Sequence, residues 1–329
     1  MSESLAVQLD PVAVDQIRRT LNEPQPRLPS EYFYDEIGSQ IFDEICELDE
    51  YYPTRTEHSI LSDNIDSIVD AIGSDARLIE YGSGSSLKTR LLLQRMHSSV
   101  HHLPLDISGD YLMTVAEQLR ADFPDRVIEP HVVDFTSDYE LPPPPSGYRD
   151  VVYFPGSTIG NFARDAATAL LRSIAKLIGD RGQALIGFDL RKDVSTLIAA
   201  YDDSEGVTAR FNRNILRHVN RVAGTSFDLD GFEHHVRYNT DQHRIEMHLR
   251  ANGDQTVSLG QSQLELADGD TILTEYSHKY TIDAFADLAT TAELVIDQVW
   301  TDPSNRFAMV MLSHSSGSEA PVPPTKPAR

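Results

Sequence analysis

One cysteine, Cys46, stands alone in 329 residues, so neither an intramolecular disulfide nor a paired-cysteine metal or redox site can form. No stretch approaches the roughly 20 consecutive apolar residues of a membrane span. The opening MSESLAVQLDPVAV lacks a basic segment followed by an apolar core, which reads against a secretory signal. Basic residues are scarce: 28 against 51 acidic, a formal net charge of -23. So acidic a surface repels phosphate backbones and anionic membranes, which argues against nucleic acid and membrane partners. The twelve histidines form no HExxH or Cys/His frame. His97, His101 and the adjacent His234 and His235 therefore read as surface or packing residues, and no metal is expected. The expectation is a reduced, soluble, cytoplasmic monomer.

Hydrophobic residues make up 40% of the chain, enough for a sizeable core. A short helix is expected from Pro11 to Asn22. Ile37, Ile41, Phe42, Ile45 and Leu48 recur at helical spacing, and Pro53 then interrupts. Thr54 or Thr56 is expected to cap a helix running through Ile60, Leu61, Ile65, Ile68 and Val69. From residue 77 short apolar runs (77–84, 101–108, 126–135, 150–158 and 184–190) alternate with connecting stretches. At least three of these read as helices, near 87–96, 109–122 and 163–178. This rhythm predicts an α/β protein with a doubly wound, mainly parallel sheet. Residues 191–278 break it with two helical patterns and then alternating strands, and read as an inserted α+β substrate domain. The first pattern returns with a helix near 282–291 and two strands. Residues 1–55 plus 191–278 are assigned to the substrate domain and 56–190 plus 279–312 to the nucleotide-side domain. The Ser/Pro-rich 313–329 read as a disordered tail.

The strand RLIEY runs into GSGSSLKTR, where Gly82 and Gly84 permit a tight turn and close ligand approach. Asp106, at the next strand end, stands where an open sheet places an acid for ribose hydroxyls. Asp134 and Phe135 end the third strand as an acid beside an aromatic, suited to an adenine edge and face. The third glycine of a dinucleotide loop is absent, Leu87 standing there, and no GK[ST] follows. Lys88 lies in the first turn of its helix against the dipole preference, which favours a ligand role.

Glu80-x-Gly82-x-Gly84 at the first strand end resembles the class I S-adenosylmethionine methyltransferases. The strings EYYPTRTE (50–57), EYGSGSSLKTR (80–90), GSTIGNF (156–162), AYDDSEGVTARFNRNIL (200–216), RIEMHLRA (244–251) and LTEYSHKY (273–280) resemble, more closely, the histidine-specific methyltransferases of ergothioneine biosynthesis. The resemblance covers roughly residues 30–312. It implies trimethylation of the α-amino group of L-histidine to hercynine, with S-adenosylmethionine as donor. It also implies that Gly82, Lys88, Asp106, Asp134 and Phe135 contact the donor. Tyr51, Asn161 and Tyr201 would hold the histidine backbone groups, and Glu275 and Ser277 its imidazole. Tyr34 and Met247 would line the same pocket, with Tyr34 or Asn161 steering the amine or relaying its proton. Tyr81 departs from the family, which has leucine there. Rival readings are a methyltransferase for another histidine-like amino acid and a non-catalytic binding module.

Overall fold

The computed structural model describes residues 9–84, 86–260 and 262–315. Residue 85 of the glycine loop and residues 316–329 of the expected tail lie outside them. Helices α1 (Pro11–Leu21), α2 (Glu36–Glu47), α3 (Tyr52–Asp63) and α4 (Ile65–Ile72) precede the first strand. Then follow β1 (Ala76–Tyr81), α5 (Leu87–Arg95), β2 (His101–Asp106), α6 (Gly109–Asp122), β3 (His131–Val132), β4 (Arg149–Phe154), α7 (Arg164–Ile178) and β5 (Gln183–Asp189). A second region contains α8 (Val194–Ala199), α9 (Val207–Ala223), β6 (Phe232–Asn239), β7 (Arg244–Ala251), β8 (Gln255–Leu259), β9 (Ser262–Leu266) and β10 (Thr271–His278). Helix α10 (Ile282–Thr290), β11 (Leu294–Thr301) and β12 (Phe307–His314) follow.

Seven strands form one sheet in the order β11-β12-β5-β4-β1-β2-β3. Strand β12 runs antiparallel to both its neighbours, and the remaining pairs are parallel. This is the expected doubly wound class I arrangement. Every residue of β1 is buried, because helices cover both faces of the sheet. Ile79, Leu103, Val152 and Ile186 pack toward α7 and α10. Leu78, Val151, Leu185 and Met309 pack toward α3, α4 and α5. Full burial of each such side chain stabilises the fold by about 1.5–3 kcal/mol. The one cation inside β1, Arg77, is met by both oxygens of Asp150, at 2.6 and 2.9 Å.

The second region builds a three-stranded antiparallel sheet, order β10-β7-β6, beside a β8–β9 hairpin. Its core takes Phe211, Ile215, Leu216 and Val219 from α9 together with Ile17, Leu21, Phe33 and Ile41 from the N-terminal segment. Asp203 accepts from the amides of Val207 and Thr208 at 2.9 and 2.7 Å and so caps α9. The β10 edge is covered by the N-terminal segment: Leu273 N–H donates to Pro26 and Leu28 N–H donates to Leu273, both at 2.9 Å.

Some local expectations need correction. Helix α3 begins before Pro53, not after it, because proline is tolerated in a first turn where its missing N–H has no partner to lose. Thr54 and Thr56 therefore lie inside the helix and cap nothing. The helix also ends at Asp63, and α4 starts afresh after Asn64. The third strand shrinks to two residues plus a bridge at Ile128, with Pro130, which lacks an N–H, between them. Strand β12 reaches His314, past the expected start of the tail.

Helix α2 can approach the turn before it only because residue 38 is glycine. A Cβ there would lie 1.7 Å from the Phe33 carbonyl oxygen. Gly38→Ala should lower unfolding stability by about 2–3 kcal/mol. Urea unfolding checks this, and an unchanged midpoint would refute the packing argument.

Candidate functional site

Strand β10 supplies one wall through an irregularity. The β7–β10 register shifts between Leu273 and Glu275. Before the shift Ile272 faces inward with Leu249; after it Glu275 and Ser277 face inward, opposite Met247 and Ile245. The extra residue, Thr274, is fixed by hydrogen bonds from its hydroxyl to Asn212 Oδ1 (2.7 Å) and to the Met247 carbonyl (3.1 Å). The bulge thus turns a carboxylate inward that strict alternation would send outward.

The second wall is the 3-10 turn Thr158–Asn161, which follows β4. Gly160 lets it lie against β10, since a Cβ there would be 2.8 Å from the His278 carbonyl oxygen. That approach sets Asn161 beside the end of β10. The third wall is aromatic. Tyr34 ends the turn before α2 and packs edge-on against Phe42 and Phe211. Tyr51 immediately precedes α3 and meets Tyr201 edge-on at 6.2 Å between centroids. The Tyr201 hydroxyl lies 2.7 Å from Ser277 Oγ.

Tyr34, Tyr51, Asn161 and Glu275 are half-buried, and their side chains have no hydrogen-bond partner among the described residues. Burial pushes the Glu275 carboxyl up to about 7, against the pull of Lys279. Burial also raises Tyr34 and Tyr51 well above the ordinary phenol range, reinforced at each by Glu275, so both stay neutral donors. Partly buried polar groups without a protein partner are open to a complementary ligand.

The glycine loop follows β1. Gly82 and Gly84 both adopt positive φ, 68° and 45°. A Cβ on Gly84 would meet nothing within 4 Å, so the loop borders open space. Gly84 N–H donates to Asp106 at 3.3 Å and Ser108 N–H at 2.9 Å. Burial raises the Asp106 carboxyl, while these donors oppose the shift. Asp106 also contributes, as the smallest of several causes, to the raised Tyr34. Phe135, three residues past the end of β3 rather than on it, stacks on Tyr81 at 4.8 Å and is backed by it. The exposed Asp134 accepts from the Thr136 amide and hydroxyl at 2.8 and 2.6 Å. Open backbone at Gly84 with a strand-end acid and a backed aromatic fits a nucleoside sulfonium of S-adenosylmethionine type.

Two residues of the glycine-loop string meet buried partners. Lys88 forms an ion pair with the fully buried Glu57, which also accepts from Gly156 N–H, so its first-turn position already has a partner. Glu80 is turned away from the loop, toward Thr89 and His102. Sequence reasoning missed Glu57, Tyr52, Asp189 and Lys279. Glu57, Tyr52 and Lys279 lie inside strings that carried the resemblance, while Asp189 is an acid closing the apolar run of β5. Among the described residues no group of three or more His, Cys, Asp or Glu is placed to hold a metal. None of their helices is long and apolar enough to cross a membrane.

The sequence is similar to several methyltransferases and to an ergothioneine biosynthesis protein. The histidine N-alpha-methyltransferase of Mycolicibacterium smegmatis is 39% identical over 89% of this chain and 92% of its own length. Ergothioneine biosynthesis protein 1 of Schizosaccharomyces pombe is 32% identical over 77% of this chain and 34% of its own length. An L-tryptophan methyltransferase of Psilocybe serbica is 23% identical over 88% of this chain. A family profile described as histidine-specific methyltransferase, SAM-dependent, matches residues 13–314, and the chain belongs to that family.

Proposed function

We propose that this protein trimethylates the α-amino group of L-histidine to hercynine, with S-adenosylmethionine as methyl donor, within ergothioneine biosynthesis. The observation that carries the reading is Glu275, an inward carboxylate without a partner, two residues from the Ser277 hydroxyl and beside neutral phenols. An imidazole offers one N–H and one acceptor nitrogen, which Glu275 and Ser277 match. An indole offers a donor but no acceptor, so tryptophan fits less well. Tyr51 and Asn161 would hold the histidine carboxylate through uncharged donors, and the Tyr201 oxygen would accept from the amine. Met247, directly across from Glu275, would close the apolar side. Gly82, Lys88, Asp106, Asp134 and Phe135 would hold the donor, whose sulfonium supplies the methyl group.

The amine must be neutral to react. An α-amino group titrates near 8 in peptides, so a strong base is unnecessary. Tyr34 and Asn161 would steer the lone pair or pass its proton to water. Orientation of this kind contributes several kcal/mol. Tyr34, Phe42, Tyr51 and Phe211 provide ring faces and edges for a head group that ends cationic. We further propose that residues 1–55 with 191–278 form the amino-acid part and 56–190 with 279–312 the donor part. We also propose a cytoplasmic monomer without a metal, and the acidic composition supports the absence of nucleic acid and anionic membrane partners.

Mass spectrometry of reactions with each of the twenty amino acids tests the assignment: three methyl groups on L-histidine alone are expected, and product from another amino acid instead would overturn it. Glu275→Ala should cut kcat/KM for histidine by about 100-fold while donor affinity changes less than about twofold by calorimetry. Equal loss of both would refute the role. Asp106→Ala should do the reverse, weakening donor binding about tenfold or more. With Glu275 raised to about 7, its ionised, accepting form is lost as pH falls through neutrality. Histidine kcat/KM should therefore drop below about pH 7, and Glu275→Gln should remove that component while leaving the substrate imidazole's own titration.

A further inference from the structure

Behind the Ser277 wall lies Lys279, a fully buried ammonium that sequence reasoning did not single out. Its Nζ lies 2.9 Å from Asp189 Oδ2, 2.8 Å from Ser277 Oγ and 3.0 Å from the Tyr201 hydroxyl. An ammonium has three hydrogens and no acceptor, so these contacts use all of it. Ser277 and Tyr201 are themselves hydrogen-bonded at 2.7 Å. Two hydroxyls hold two hydrogens and four acceptor sites. Lys279 fills one acceptor site on each oxygen. The bond between them uses one hydrogen and one more acceptor site. One hydrogen and one acceptor site remain, on different oxygens. Phenol is the more acidic hydroxyl, so Tyr201 donates to Ser277, whose own hydrogen is left for the pocket.

We propose that Lys279 is a positioning residue for substrate specificity: it makes Ser277 a hydrogen-bond donor, so the pocket takes a neutral imidazole with its unprotonated nitrogen at Ser277. The nearby positive charge also disfavours an imidazolium there. In the same way Lys279 pulls the Glu275 carboxyl back toward the ionised form that accepts the other ring N–H. This inference rests on the histidine-site reading above.

Lys279→Met removes the charge at similar volume. Asp189 stays partnered, by Lys192 at 2.6 Å and the Tyr52 hydroxyl at 2.7 Å, which favours a folded variant. The variant should raise KM for L-histidine about 10- to 100-fold and leave donor affinity within about twofold. A pyrrolylalanine, which keeps a ring N–H but lacks the acceptor nitrogen, supplies the decisive readout. The preference for histidine over this analogue should shrink about tenfold in Lys279→Met. The acid limb of histidine kcat/KM should also move to higher pH, because Glu275 loses its neighbouring cation. An unchanged preference in folded Lys279→Met overturns the proposal. Should that variant not fold, Lys279→Met combined with Asp189→Asn, which removes the buried anion together with its cation, is read by the same preference, and an unchanged ratio overturns the proposal equally. Ser277→Ala separates the two levels. If it leaves histidine KM unchanged, the site reading itself fails. If it raises KM while Lys279→Met changes neither KM nor preference, this proposal alone fails.

Discussion

A single carboxylate at the end of β5 organises the site. Asp189 is sealed from solvent and receives the Tyr52 hydroxyl, the Lys192 ammonium and the Lys279 ammonium. Its amide donates to Ser157 Oγ at 3.0 Å, in the turn that carries Asn161. Its carbonyl accepts from the Tyr280 amide at 3.1 Å, just past β10. Burying such a charge costs several kcal/mol unless every partner is in place. The first turn of α3, the turn after β4, the loop after β5 and the end of β10 must therefore all arrive together. Burial alone would lower Lys279, and the opposing attraction of Asp189 holds it above its ordinary value. Lys192, less enclosed, is drawn down by burial to about 8 despite the same carboxylate. One anion thus holds the end of β10 through Lys279 and the first turn of α3 through Tyr52 and Lys192, its two cations being of unlike character.

The large sheet was legible in the sequence because parallel strands buried on both faces read as unbroken apolar runs. β1, β2, β4 and β5 lie where those runs stand. The weak third run was misread because its apolar residues flank Pro130, and hydrophobicity does not report whether an N–H exists to pair. Glu275 could not be oriented by alternation, since the phase of β10 is reset at Thr274. The cause of that reset is a contact with Asn212 on a helix far away in sequence, and no local pattern encodes it. The same limit hid Asp189, Glu57 and Lys279. Each is a charge whose meaning depends on a partner brought in by topology. Strings of residues carried the family resemblance, but the division of labour within them needed three dimensions. Lys88 and Glu80 show the other side of this limit. Both stand in the string around the glycine loop, and both are met by buried neighbours.

The pocket achieves polarity almost without free charge. Its phenols are held neutral by burial, its asparagine is uncharged, and its one carboxylate sits near the midpoint between charged and neutral forms. Such walls suit a reaction in which an amine begins neutral and ends cationic. A fixed anion beside the nitrogen would bind the protonated, unreactive amine; a fixed cation would repel the product. Charge is kept instead at two removes, on Glu57 with Lys88 beneath the glycine loop and on Asp189 with Lys279 behind Ser277.

The pairing of β12 carries a consequence for how the chain is made. Phe307 sits opposite Asp189, so β12 occupies the slot between β5 and β11. During synthesis β5 emerges long before its partner, and the whole of the second region is translated in between. Throughout that interval the apolar edge of β5 stays open, and Asp189 waits at its tip. The nascent chain is therefore exposed to mispairing from the emergence of β5 until β12 follows. Long-range closure of this kind makes folding slow and chaperone-sensitive, and it ties assembly of the reaction centre to the last strand of the sheet to arrive.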